Sequence, residues 1–448
     1  MKIRKFTFFL MFIYIVPLSL IFSIEKGQKL GPLSRSQITR KLQVKKLGIP
    51  NRQTGPSYAQ NQVLVKFKPN LSDKKVTTTL NAYGTKQLKR IPRLDVFVLQ
   101  TPDSLTVEET LVMLKLNPDI EYAEPNYKTY TCLTPNDLLF AYQYSLHNTG
   151  QSIGVPGSPS GQSRADIRAP EAWEETKGSD SVVVAVIDSG LDFNHPDLAN
   201  KYSSRGRDLV NDDFDATDDL GHGTYTAGII AAETNNSEGI AGVAWNCKVL
   251  PVKAIDTDGT GLYSWMIDGI IWAADQGVDV ISLSIGGDVP AAALEAALKY
   301  AYDLGVLIVA SAGNDTGSVV YPAAYDDYAL ACAATDYNDV RPDWSNSGPE
   351  IDVAAPGDRV ISCYPAWALP QGTLPYIFGF GTSASAPIVA GLAALIKSLK
   401  PWLTPLDIMN IIRYTSDDIN AAEYPGKDDF IGYGRINMEK ALVPVKIK

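Results

Sequence analysis

The chain has 448 residues, enough for two or three domains that each bury a hydrophobic core. Apolar residues make up 45% of the chain and charged residues 20%, so a disordered chain and a polytopic membrane protein are both excluded. Four Cys are too few for a disulfide-stapled small protein. Three His (His147, His195 and His222) leave few candidates for histidine-dependent catalysis and argue against a multi-histidine metal centre.

Charge is distributed unevenly along the chain. Residues 1–130 carry 21 Lys/Arg and 9 Asp/Glu, a net charge of +12, whereas residues 131–448 carry 19 and 41, a net charge of −22. This asymmetry indicates two parts with separate roles. Because the larger part has no basic excess with which to neutralise phosphates, the composition argues against nucleic acid as a partner.

The first 24 residues have the pattern of an export signal. Lys2, Arg4 and Lys5 precede an apolar run over residues 6–24, which predicts a secretory signal peptide over residues 1–23. The run is also nearly long enough to span a bilayer, so the alternative is an anchor that is retained in the membrane.

Export bears on the cysteines, because thiols outside the cytosol are able to oxidise. Cys332 lies in the apolar run ALACAAT and is predicted to be buried and unpaired. If all four thiols paired, three connectivities would be possible among Cys132, Cys247, Cys332 and Cys363.

A polar linker is predicted over residues 24–60, ahead of a small α+β domain. The next segments alternate as strand, helix, strand, helix and strand, and the second helix starts with a Ser cap. This order within 70 residues predicts a ferredoxin-like α+β sandwich over residues 61–130. The segments are NQVLVKFKP, LSDKKVTTTLNAYG, LDVFVLQTP, SLTVEETLVMLKLNP and IEYAEPNY.

From residue 131 onward, continuous apolar strands alternate with helical patterns. Unbroken β-branched runs fit strands buried on both faces, so we expect an α/β domain with a mostly parallel, doubly wound sheet and flanking helices. The predicted strands are 181–189, 248–256, 278–286 and 305–313, and the predicted helices are 222–233, 261–276 and 290–304.

Three residues of this larger part form a pattern of nucleophilic catalysis. Asp188 ends the first strand, His222 begins a helix between two glycines, and Ser383 lies in a glycine-rich turn that leads into an apolar helix. Functional groups collect at the carboxyl ends of parallel strands. A serine at a helix N-terminus has backbone donors for a developing oxyanion, a histidine is the general base, and a buried aspartate orients the imidazole. Each residue alone is more typical of a cap, a turn or a satisfied polar group, but the three together predict a serine nucleophile with its base.

The segments around these residues resemble a known family. VVVAVIDSGLDFNHPDL, GHGTYTAG and GTSASAPIVAG are similar to the three active-site signatures of the subtilisin-like serine proteases (subtilases), and VASAGNDT is a fourth match. The resemblance implies a catalytic domain over residues 131–448. It also implies that the Asn314 side chain and the Ser383 backbone N–H form the oxyanion hole.

The resemblance further implies where an extended substrate binds. One wall of the primary specificity pocket is expected to be Ser284, Ile285 and Gly286, which pair with the substrate by strand addition. The other wall runs from Ala310 to Gly313. Departures from the common family pattern, at Tyr225, Ala384 and Ile388, fall outside the triad and the oxyanion hole, so they bear on substrate preference rather than on catalysis.

Residues 61–130 resemble the propeptide of these enzymes, which assists folding and acts as a temporary inhibitor. Cleavage is expected between about Tyr127 and Leu133, with Tyr130 as the preferred residue before the scissile bond. Opposite charges would favour docking of the two parts before cleavage. The alternative is a permanent N-terminal domain.

Calcium is the ion that the resemblance implies. The opening TPNDLLF is similar to that of thermitase-type subtilases, and carboxylate and carbonyl oxygens suit this hard cation. Side chains of Asp137, Asp197 and Asn236 and backbone oxygens of Glu233, Glu238 and Ile240 would hold the first ion. A second site is expected within RDLVNDDFDATDD, whose alternative is a solvated acidic loop; its ligands would be Asp208, Asp213, Asp215 and Thr217.

The sequence therefore predicts a secreted, calcium-stabilised serine endopeptidase, made as a pre-proenzyme and monomeric, with proteins or peptides as substrates. Two alternatives remain: a catalytically silent homologue that serves as a scaffold, and a membrane-anchored protease that keeps its leader. A proprotein convertase is not expected, because the chain ends at Lys448 without the extra β-domain of those enzymes.

Overall fold

The computed structural model describes residues 58–127, 134–153 and 159–443, together with the backbone of residues 14–15. These residues form two compact units, a smaller one within Val44–Cys132 and a larger one within Met1–Gln43 and Leu133–Lys448. The predicted cleavage region, most of the leader and linker, and Cys132 lie outside the described residues. A two-residue strand, β1 (Tyr14–Ile15), belongs to the larger unit.

The smaller unit is an antiparallel sheet with two helices, in the order strand, helix, strand, strand, helix, strand. The sheet order is β3-β4-β2-β5, the ferredoxin-like arrangement that was predicted. Val63, Val65, Leu99 and Leu114 are fully buried in its core. The elements are β2 (Tyr58–Phe67), α1 (Asp73–Ala82), β3 (Lys86–Ile91), β4 (Val96–Gln100), α2 (Val107–Lys115) and β5 (Ile120–Tyr127).

Two details of this unit differ from the prediction. Strand β3 was missed, because its sequence KQLKRI is a polar edge strand with almost every residue exposed. The cap of α2 is Thr106 rather than a serine, because Glu109 stands three residues later and completes a reciprocal capping box.

The larger unit contains a seven-stranded parallel sheet with the order β12-β11-β10-β9-β6-β8-β7. The chain starts at β6 and builds outward on both sides of it, so the carboxyl end of β6 lies at the point where the strand order reverses. The strands are β6 (Val183–Asp188), β7 (Arg207–Asp208), β8 (Lys248–Lys253), β9 (Val280–Leu283), β10 (Leu307–Ser311), β11 (Ala329–Thr335) and β12 (Ile351–Pro356). A smaller antiparallel sheet joins β13 (Val360–Cys363), β14 (Tyr376–Gly379) and β1.

Helices cover both faces of the parallel sheet, which confirms the predicted α/β class. Val184 and Val186 of β6 pack on the side of α4 and α7, and the alternate residues Ala185 and Ile187 pack on the side of α5 and α6. The helices are α3 (Ala169–Ala172), α4 (His222–Ala231), α5 (Tyr263–Asp275), α6 (Ala292–Asp303), α7 (Thr382–Leu399), α8 (Pro405–Thr415) and α9 (Met438–Leu442).

Helix α7 lies in the hydrophobic core on the side of the sheet that Val184 and Val186 face. Within the described residues it is the one helix that is long and apolar enough to cross a membrane, but 78% of it is buried inside the protein. Cys332, Cys247 and Cys363 are also buried, and none of these three thiols forms a disulfide. The predicted unpaired state of Cys332 is therefore confirmed.

Candidate active site

The predicted acid and base meet at the carboxyl end of β6. Asp188 is 1% exposed, and its two carboxylate oxygens lie 2.8 and 2.9 Å from Nδ1 of His222, the first residue of α4. The Ser189 N–H also donates to Asp188 Oδ1, at 2.7 Å. With Nδ1 held by the carboxylate, Nε2 is the nitrogen available to accept a proton.

The surroundings of His222 set its basicity. Burial by itself lowers the pKa of the imidazole, but the charge of Asp188 and its hydrogen bond, together with the charge of Asp218, raise it above the ordinary value. Gly223 lets the first turn of the helix approach the strand end: a Cβ on Gly223 would lie 2.2 Å from the Gly190 carbonyl oxygen.

Ser383 is the second residue of α7 and lies beside the end of β9. Its Oγ donates to the Ser284 carbonyl oxygen at 3.3 Å, and the Ser284 hydroxyl donates to the Ser383 carbonyl oxygen at 3.1 Å. Pro387 explains the second bond: it has no N–H, so the Ser383 carbonyl lacks its helical partner four residues later. Register places Leu283 opposite Ile187, so Ser284 and Asp188 end neighbouring strands at the same level.

Asn314 follows β10, and its amide has a defined orientation. Its Oδ1 accepts hydrogen bonds from the backbone N–H of Thr382 at 2.8 Å and from the Thr382 hydroxyl at 2.9 Å. The Thr382 hydroxyl in turn accepts the Gly313 N–H at 3.1 Å. Because two donors take the oxygen, the Nδ2 end of the amide is left as a donor, as an oxyanion hole requires.

The two predicted walls of the specificity pocket face a third element that the sequence analysis missed. A Cβ on Gly286 would lie 2.7 Å from one methyl of Val320, and a Cβ on Gly313 would lie 3.0 Å from the other. The Val320 N–H donates to the Ala312 carbonyl oxygen at 3.0 Å, so this segment is fixed to the wall. The Val320 side chain thus lies close to both Gly286 and Gly313, the glycines of the two predicted walls.

The remaining wall residues differ in exposure. Ala310 is fully buried within β10 and Ile285 is 7% exposed, so these two support the walls from the core side. Asp315, which follows Asn314, is exposed.

The residues predicted for the first calcium come together from three loops, those of Asp137, Asp197 and residues 233–240. Asp137 accepts the Asn235 N–H at 2.8 Å, and Asp197 accepts the Asn236 side-chain amide at 2.9 Å and the Ile240 N–H at 3.0 Å. The Glu233 N–H donates to the Asp197 carbonyl oxygen at 2.8 Å, and the Glu238 N–H donates to Asn236 Oδ1 at 2.8 Å.

The chemistry of this cluster fits a divalent cation. Asp137 is 5% exposed and Asp197 is fully buried, and within the described residues neither forms an ion pair with Lys or Arg. Burial raises the pKa of both carboxyl groups, that of Asp137 to about 6, and the charge of Asp197 adds to the rise at Asp137. Carboxylate, amide and carbonyl oxygens are the ligands that calcium prefers.

The loop predicted for a second calcium is held by internal donors. Asp208 accepts the N–H groups of Val210 and Asn211 at 2.8 and 2.9 Å, and Asp213 accepts the Asp215 N–H at 2.9 Å. Asp215 pairs with Arg205 and accepts the Thr217 hydroxyl at 2.7 Å. Among the described residues, no three His, Cys, Asp or Glu side chains converge as metal ligands.

Comparison with known proteins agrees with this geometry. Residues 179–434 match the model of the Subtilase family, and residues 46–126 match that of the Fervidolysin N-terminal prodomain. A thermophilic serine proteinase of Bacillus sp. (strain AK1) is 38% identical over 390 residues, which cover 86% of this chain and 88% of the relative.

Two further proteins are similar. Thermitase of Thermoactinomyces vulgaris is 41% identical over 277 residues, covering 62% of this chain and 93% of thermitase. The solved structure of a protease from Pseudoalteromonas arctica superimposes with a TM-score of 0.59 at 32% identity, covering 69% of this chain and 99% of that one. The chain is therefore a subtilisin-like serine peptidase with an N-terminal prodomain, and it belongs to the subtilase family.

Proposed function

We propose that this peptidase is a secreted, calcium-stabilised endopeptidase that acts through Asp188, His222 and Ser383 and matures by removing its own propeptide. The observation that carries the proposal is the bond between the buried Asp188 carboxylate and His222 Nδ1, at the strand level where the Ser383 hydroxyl lies. A serine nucleophile needs this pairing of base and orienting carboxylate.

In the proposed mechanism, His222 Nε2 takes the Ser383 proton as the hydroxyl attacks the carbonyl carbon of the peptide. Asn314 Nδ2 and the Ser383 N–H stabilise the oxyanion, and the N-terminal end of α7 adds a favourable dipole. His222 then gives its proton to the leaving amine. Water repeats the two steps on the acyl-enzyme and frees Ser383.

The substrate is proposed to be an extended peptide or protein segment paired with Ser284, Ile285 and Gly286. The Val320 side chain between Gly286 and Gly313 supports a preference for small residues before the scissile bond. An aromatic side chain would have to displace this valine.

Calcium is proposed to bind between the loops of Asp137 and Asp197. When bound, the ion would supply the positive charge that these buried carboxylates lack and would join the two loops. A second ion at Asp208, Asp213, Asp215 and Thr217 would require Arg205 to leave Asp215.

The proposals of export and of maturation are both supported by the N-terminal region. The basic leader and apolar run over residues 1–23 support export, with a retained anchor as the alternative. The prodomain match supports residues 61–130 as a propeptide that is removed near Tyr130. The mature enzyme is proposed to act as a monomer.

Labelling with a fluorophosphonate tests the catalytic part of this proposal. The full-length chain, expressed with calcium, is expected to become labelled at Ser383, while the Ser383→Ala variant stays unlabelled. A folded wild-type chain without label or hydrolysis would instead support the silent scaffold. Detergent partitioning of the native protein separates a secreted enzyme from an anchored one.

A further inference from the structure

A second buried carboxylate, Asp218, lies four residues before His222. It is 3% exposed and accepts five hydrogen bonds from three parts of the chain. The donors are the Ser189 hydroxyl at 2.8 Å, the N–H groups of Leu220 and Gly221 at 3.0 and 2.8 Å, and the N–H and hydroxyl of Thr224 at 2.9 and 2.6 Å.

These bonds replace the missing cap of the catalytic helix. The residue before α4 is Gly221, which has no side chain to accept the first N–H groups of the helix. Asp218 accepts the Thr224 N–H, and the Ser189 hydroxyl accepts the Gly223 N–H at 2.8 Å. Two donors that a cap would satisfy are thus satisfied from outside the helix.

The same bonds tie the helix to the strand that carries the catalytic acid. Ser189 donates its N–H to Asp188 and its hydroxyl to Asp218, while it accepts from the first turn of α4. Any movement of His222 away from Asp188 would have to break this bridge.

A buried lysine fixes the other side of the bridge. Lys253, which ends β8 and is 1% exposed, donates to the Ser189 carbonyl oxygen at 3.0 Å and to Asp219 at 2.6 Å. Within the described residues Asp218 itself forms no ion pair. Its negative charge is therefore not cancelled by a direct cation, and it acts on His222 together with that of Asp188.

We propose that Asp218 is a positioning residue of the catalytic triad: with Ser189 it caps the first turn of α4 and holds His222 against Asp188. This inference rests on the proposed protease function. Within the described residues, the charges that act on His222 come from Asp188 and Asp218. Farther along the same segment, Lys253 pairs with Asp219, and the Tyr364 hydroxyl donates to the Leu220 carbonyl oxygen at 3.2 Å.

The test compares Asp218→Asn and Ser189→Ala with wild type, using chains expressed with the propeptide and a tetrapeptide p-nitroanilide as substrate. Both variants are expected to lose about 10- to 100-fold in kcat with KM nearly unchanged, because the imidazole is less well placed. Only Asp218→Asn removes a charge, so only this variant should shift the acid limb of the kcat/KM profile to lower pH, by about 0.5.

Asp303→Asn, an exposed carboxylate of α6, is the matched control and should leave both quantities unchanged. Wild-type kcat and pH profile in Asp218→Asn would overturn the proposal, and so would a lowered Tm with unchanged kinetics. If Asp218→Asn does not fold, an unchanged kcat in Ser189→Ala overturns it. Absence of hydrolysis in the wild type would contradict the proposed function instead, so the two failures are distinguishable.

Discussion

Two regions of the catalytic unit each bury two carboxylates, and they satisfy them in different ways. Asp188 and Asp218 face an imidazole and a set of N–H and O–H donors that hold both charges in place. Asp137 and Asp197 accept bonds from N–H groups and, at Asp197, from the Tyr376 hydroxyl, but neither pairs with Lys or Arg within the described residues, and burial raises the pKa of both. The first pair is satisfied by groups of the chain itself, whereas for the second pair we propose a bound cation.

The largest effect is expected from a substitution that breaks the pair of Asp188 and His222. Asp188→Asn should lower kcat by about 10⁴-fold, a magnitude taken from the triad aspartates of subtilisin and the chymotrypsin type rather than from this structure. Because the Asp188 charge raises the pKa of His222, the acid limb of any residual activity should move to lower pH. A pH–rate profile checks this, and an unmoved acid limb would contradict the role given to Asp188.

The next largest effect is expected at the oxyanion donor, Asn314, and it should not depend on calcium. Asn314→Ala should lower kcat by about 10²–10³-fold with a small change in KM, the magnitude known for the corresponding asparagine of subtilisin. Steady-state kinetics with and without excess calcium measure it. A raised KM with an unchanged kcat would show that Asn314 contributes to substrate binding rather than to stabilising the transition state.

Removal of calcium tests the other region. At a calcium concentration about 100 times Kd, binding should stabilise the folded chain by about 2.7 kcal/mol, so chelation should lower the Tm of a unit of this size by roughly 4 °C. Calorimetry with and without a chelator measures the difference. Asp197→Asn should abolish it, and Asp215→Asn, in the second loop, should retain it. If Asp215→Asn abolished the calcium effect and Asp197→Asn retained it, the ion would have to be assigned to the second loop instead.

The smallest expected effect concerns substrate preference and tests the position of Val320. Val320→Gly should raise the ratio of kcat/KM for Phe over Ala before the scissile bond by about tenfold or more, since deeper burial of an aromatic side chain contributes about 1–3 kcal/mol. Thermal response to calcium should stay unchanged. A wild type that already prefers Phe strongly, with no change in the variant, would show that Val320 does not close the pocket.

The sequence predicted the central strands well because they are unbroken apolar runs: β6 and β10 lie within two residues of their predicted bounds. Strand β3 was missed because an exposed edge strand of Lys, Gln and Arg has no apolar alternation. Asp188, His222, Ser383 and Asn314 could be predicted because short motifs surround each of them.

Ser189, Asp218 and Val320 could not be predicted in the same way. Asp218 contacts Ser189, 29 positions away, and Val320 faces Gly286, 34 positions away. Such contacts depend on how strands and loops meet in space and leave no local pattern. One signal was present: Gly221 cannot cap a helix that starts at His222, which indicates that another residue must do so.

The central claim is that Ser383 performs the chemistry that matures this chain. Intact mass of the wild type and of Ser383→Ala, both expressed with calcium, tests it most directly. We predict that the wild type shortens to a species starting between residues 128 and 134, while the variant remains longer by the propeptide. Wild-type and variant chains that both stay folded at the longer mass would contradict the account.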